Sequence, residues 1–138
     1  MMREILFRGK DSITKRWAYG ALVQQQDDLL KEKAFIISYS NYQFGDFSEA
    51  VMHEVDPETV GQYTGFVDKK GKKIFEGDIL SIYNSKAFLF AVEWNNQYVL
   101  KCTTNGVSDN ILNVIESPED VEVVGNIYDN PELIKDGK

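Results

Sequence analysis

The sequence predicts a mainly β protein of antiparallel strands, and three observations carry that prediction. Short apolar runs alternate along the chain with turn-forming Gly, Asn, Asp and Pro. Apolar positions within several of those runs repeat every second residue, the period of a half-buried strand. Turn signals recur every ~8 to 12 residues, the spacing of an antiparallel barrel or sandwich with about nine or ten strands. A chain of 138 residues buries roughly two-thirds of its unfolded surface, so such a fold requires neither disulfide nor metal.

Taken in order, Ile5 and Phe7 share one face of a first strand that stops at Arg8-Gly9-Lys10-Asp11. Trp17 and Tyr19 alternate on a second, which Gly20-Ala21-Leu22-Val23 extends. Gln24 to Lys33 is polar and reads as a loop in preference to a short helix. Ala34-Phe35-Ile36-Ile37 is a buried strand, too short and too β-branched for a helix. Ser38 to Glu49 reads as an ordered loop or a one-turn helix, and Val51 to Val55 returns to alternation. Asp56-Pro57-Glu58-Thr59 has the chemistry of a short helical turn: an Asp acceptor for free N–H groups, then Pro where its missing N–H costs nothing.

Beyond Gly61, Gln62 to Val67 is a strand, and Phe66 to Phe75 is a hairpin in which Asp68 opens the turn and Gly71 supplies a left-handed residue. Glu76-Gly77-Asp78 turns into the strand Ile79 to Tyr83, and Asn84-Ser85-Lys86 ends it. The apolar run Ala87 to Trp94 belongs at the centre of the core; Asn95-Asn96 is a two-residue hairpin turn to the strand Gln97 to Thr103. Asn105-Gly106 is a further turn, Ile111 to Ile115 fits either a strand or a helical turn, and Val121 to Tyr128 is the closing strand. Asn130 to Ile134 makes one short turn. The expected architecture is a small barrel or barrels with one or two short helical turns. A looser part spans residues 1–55 and a compact one 56–134, in which Gly61 to Tyr128 closes as an SH3-like barrel.

The chemistry-bearing residues are few. One histidine, His53, reads as an exposed or edge-strand residue, and one cysteine, Cys102, as a small buried side chain. A single cysteine excludes a disulfide framework within the chain and any cysteine-based zinc site, and suits a reducing cytoplasm. Asp27-Asp28, Glu76-Gly77-Asp78 and Glu119-Asp120 pair carboxylates, but none has the spacing of a calcium loop or zinc helix, and the turn role of Glu76-Gly77-Asp78 is the simpler. Lys69, Lys70, Lys72 and Lys73 form the one dense basic cluster, at a hairpin tip where such runs are usually solvated. A net charge of -7 opposes a nucleic-acid partner. No apolar run reaches the ~20 residues that cross a membrane as a helix. Accordingly no catalytic, cofactor or metal set is assigned.

Four blocks of the sequence resemble the YopX family of bacteriophage and prophage proteins. They are Arg3 to Lys10 with Trp17-Ala18-Tyr19-Gly20, Val55 to Gly65, Asp68 to Ile79, and Val124 to Leu133, in the family's order. The resemblance extends over nearly the whole chain as one domain, 1–138, and is weakest in Gln24 to Ser48 and Ser81 to Pro118. It implies a phage-associated protein and transfers no catalytic residue; Arg8, Trp17, Gln62 and Glu76, its most site-like members, all have structural roles open to them. The reading is a non-catalytic cytoplasmic accessory protein that binds itself or another macromolecule, its edge strands pairing between copies. The alternatives are a nucleic-acid-binding small barrel and, third, a hydrolase built on His53 or Cys102.

Overall fold

The chain divides into two units, Met1–Gln62 and Tyr63–Lys138. The structure is a computed structural model that describes residues 4–26, 29, 31–41, 46–83, 89–103, 108–110 and 117–137. In the first unit β1 (Phe7–Lys10), β2 (Trp17–Gln26), β3 (Glu32–Asn41) and β4 (Asp46–Val55) pair antiparallel in the order β4-β3-β2-β1. Every second side chain faces one side, and there Ala18, Ala34, Ile36 and Val55 are buried with Phe7, Leu22 and Val60 against them. Gly20 is required at the β2 crossing: a Cβ there would stand 2.0 Å from the Ile37 carbonyl oxygen.

Arg8-Gly9-Lys10, where the first strand was expected to stop, belongs to β1 and pairs with Tyr19, Ala18 and Trp17, and two segments expected as loops are strand. Gln24, Gln25 and Gln26 pair with Ala34, Lys33 and Glu32, and β3 and β4 extend through much of Ser38 to Glu49. The glutamine arm is solvent-exposed. It is held by its backbone ladder and therefore carries no apolar alternation to read. The Asp27-Asp28 pair lies outside the described residues.

Strand β5 (Gly61–Val67) begins in the first unit, where Gly61 and Gln62 pair with Arg8 and Phe7 of β1, and continues into the second. There Tyr63 and Val67 pair with Phe75 and Lys73 of β6 (Lys73–Phe75). The hairpin turn forms as read, with Gly71 at φ 79°. The other strands are β7 (Asp78–Ile82), β8 (Leu89–Trp94), β9 (Tyr98–Cys102), β10 (Ser108–Asn110) and β11 (Val121–Asn126), in the order β10-β9-β8-β7-β11. Ile74, Leu80, Ile82, Val92, Leu100 and Val121 form the core, with Phe66, Phe90, Tyr98 and Val123 packed on it. Every residue of β7 is buried, because β8 and β11 flank it in the sheet and both of its faces are covered.

The sheets are not closed into barrels, SH3-like or otherwise. Closure requires a ladder between the first and last strands. Among the described residues β10 pairs only with β9, and β11 only with β7. The β8–β9 loop holds three residues, because Trp94 pairs with Tyr98; Asn96 takes the left-handed conformation at φ 62°. Short 3-10 turns occur at Pro57–Thr59, Pro118–Asp120 and Pro131–Gly137. The Asn84-Ser85-Lys86 break, the Asn105-Gly106 turn and the Ile111 to Ile115 segment lie outside the described residues.

Candidate functional site

The chain's one histidine stands in a polar cluster of the first unit. Register places Ile36 opposite His53 and Ser38 opposite Val51, so Ala34, Ile36 and Ser38 share a face with Val55, His53 and Val51. The turn after β1 adds Asp11, whose backbone bridges to Val55. Asp11 Oδ2 lies 3.1 Å from His53 Nδ1, and Ser38 Oγ lies 3.3 Å from His53 Nε2. Asp11 Oδ1 meanwhile accepts the backbone N–H groups of Ile13 and Thr14 at 2.8 and 2.9 Å. Those two bonds, with the hydrogen bond to His53, hold the Asp11 carboxyl down at about 2. In the tautomer that carries its proton on Nδ1, the imidazole donates to the Asp11 carboxylate and Nε2 can accept the Ser38 hydroxyl. The cluster is reachable, the side chains of His53 and Asp11 being 29% and 16% exposed.

In the second unit the carboxylates close turns. Asp68 is 3% exposed; its Oδ1 accepts Lys70 N and Lys72 N, both at 2.9 Å, and its Oδ2 accepts Val123 N at 3.0 Å. Burial acts to raise its pKa, yet the three backbone donors and Lys72 together hold it below the ordinary carboxylate value. Buried Asp78 accepts Phe75 N at 2.8 Å, which fixes the Glu76-Gly77 turn. Glu119 and Asp120 occupy a 3-10 turn capped by Ser117. Lys69 and Lys70 of the basic tip both pair with Glu122, at 3.3 and 3.1 Å, and their hydrogen bonds lower the Glu122 pKa. Cys102 is buried in β9, and His53 belongs to the other unit. Among the described residues no group of three or more His, Cys, Asp or Glu could hold a metal ion. No helix among them is long and apolar enough to cross a membrane.

The family comparison joins these observations to the four sequence blocks. A model of the YopX protein matches residues 6–135. The chain belongs to the YopX family. Among solved structures, this YopX-family chain is similar to the crystal structure of protein EF1440 from Enterococcus faecalis. The two share 22% identity over 97% of this chain and 100% of the other, with a TM-score of 0.55. At that identity the likeness shows the fold alone. No curated protein matches the chain.

Within the YopX-family blocks, the tempting residues have structural work. Arg8 is buried with its guanidinium 4.5 Å above the Trp17 ring, and Lys10 approaches the same ring at 5.7 Å. Gln62 pairs with Phe7, and Glu76 lies in the turn that Asp78 fixes. Asn126 Oδ1 accepts Tyr128 N and Asp129 N at 3.0 and 2.8 Å, closing the last turn. By contrast, the sequence reading passed over Asp11 and Ser38 as partners of His53. A signal for Ser38 existed: it is a hydroxyl residue two positions after Ile36, on the inward parity of an apolar strand.

Proposed function

We propose that this YopX-family chain is a phage or prophage accessory protein, working in the host cytoplasm, that assembles with a second copy of itself through β4. The observation that carries this is the backbone of β4, a ten-residue strand at the end of its ladder. At its last turn the Glu54 carbonyl accepts Ser12 N at 3.0 Å on the side away from β3. Ala50 and Met52 share the parity of Glu54, so their N–H and C=O groups also point outward. From Asp46 to His53 no described strand covers that edge. An uncovered edge of this length is a template for another strand. A second copy related by a two-fold axis pairs antiparallel and closes the assembly at two chains. Met52, 62% exposed, lies along the same stretch and would lose water contact on pairing.

Light scattering coupled to gel filtration tests this. The chain should elute as a dimer, and Met52→Pro should give a folded monomer, because it removes an outward N–H and spares the ladder with β3. A strict monomer at high concentration, or a dimer indifferent to Met52→Pro, overturns the assignment. The nucleic-acid reading has less support, since Lys69 and Lys70 are drawn to Glu122. Salt-sensitive retention of single-stranded DNA would restore it.

A further inference from the structure

We propose that Ser38 is a nucleophile activated by His53 and oriented through Asp11, a site for acyl transfer from activated esters. The three side chains come from β3, β4 and the turn after β1, and they meet in the order hydroxyl, imidazole, carboxylate. Each atom suits its role. Asp11 Oδ1 is tied to the backbone of its own turn, so Oδ2 is presented to Nδ1 in a fixed direction, and Nε2 faces the Ser38 oxygen. This is the nucleophile, base and orienter arrangement by which a serine is made reactive. A clasp joining the turn to β4 needs only Asp11 and His53. The serine on the opposite imidazole nitrogen turns the clasp into a proton path. Exposed Val51, opposite Ser38 in the ladder, offers an apolar surface to an acyl chain.

In the step, Ser38 Oγ bonds to the ester carbonyl carbon while its proton passes to His53 Nε2. The bond from that carbon to the leaving oxygen breaks, and the leaving oxygen takes the proton from Nε2. Water then attacks the acyl-serine by the same route, giving the free acid and restoring the hydroxyl. Ser38 itself pairs with Val51 in the β3–β4 ladder, so its own amide is not offered to a developing oxyanion, and the chemistry is confined to substrates with good leaving groups, which need least such stabilisation.

The test is labelling of the full chain with a fluorophosphonate, whose phosphorus bonds to Oγ as fluoride leaves, followed by peptide mass mapping. The adduct should map to Ser38. His53→Gln should slow labelling by about 100-fold, the low end of a general base contribution; Asp11→Asn should slow it less, and Ser12→Ala should leave it unchanged. Circular dichroism of each variant separates loss of folding from loss of chemistry. No adduct on Ser38 in the folded wild-type chain, or labelling at an equal rate in folded His53→Gln, overturns the proposal.

Discussion

Asp11 and Asp68 close turns in the two units by the same device and end differently. Each carboxylate spends Oδ1 on two backbone N–H groups of its own turn. Asp68 gives Oδ2 to Val123 N, a backbone donor 55 residues away, in a buried setting that stitches the hairpin to β11. Asp11 gives Oδ2 to His53, a titratable side chain within reach of water. One carboxylate is consumed by the fold, while the other passes its orientation on to a second side chain. A depressed pKa marks both, so it does not by itself separate a structural group from a functional one.

The largest expected effect comes from removing the consumed one. Asp68→Ala leaves backbone donors at Lys70, Lys72 and Val123 without their acceptor, in a side chain's place that is nearly closed to water. A loss of about 3 kcal/mol or more follows from the cost of stranded buried donors, read by urea denaturation. An effect under about 1 kcal/mol would mean that water replaces Asp68 as readily as it would replace Asp11.

Asp11→Asn should destabilise the chain less at neutral pH, and its signature is in acid. The Asp11 pKa is lowered from 3.8 to about 2, so its stabilisation is present above the unfolded value and is lost as pH falls through the folded one. Denaturation curves of wild type and Asp11→Asn should therefore converge between about pH 4 and pH 2. A gap that stays constant through that window would remove the charge of Asp11 from the account.

The smallest effects concern the left-handed residue in each turn. The Asp68 turn uses Gly71 at φ 79°, with open space around its missing Cβ, whereas the Asp11 turn uses Lys15 at φ 64°. Gly71→Lys should cost about 1 kcal/mol. Lys15→Gly should change stability by a few tenths, because relief of strain is offset by the greater freedom of glycine in the unfolded chain. Equal and opposite shifts in thermal midpoint would show that backbone strain alone distinguishes the turns.

Such local chemistry was the legible part of the sequence. Gly71, Asp56, Pro57 and the Oδ1 atom of Asp68 act within a few residues of themselves, so their roles follow from residue type and spacing, whereas the Asp68 Oδ2 bond to Val123 does not. Strand identity was legible where one face is buried, as from Ala34 to Ile37. It was hidden in the exposed glutamine arm of β2, where backbone pairing leaves no trace in side-chain polarity. Barrel closure depends on what the outermost strands do, and no local pattern encodes that. The Asp11–His53–Ser38 cluster joins residues 42 and 15 positions apart, so it becomes visible only once the β3–β4 register is known.

The lone histidine and the lone cysteine fall in different units, His53 in the first and Cys102, 5% exposed, in the second. Each unit thereby carries a native reporter of its own breathing: an imidazole proton resonance for one, and the rate at which a thiol reagent gains entry for the other. The two opening equilibria can be followed side by side in the unaltered chain.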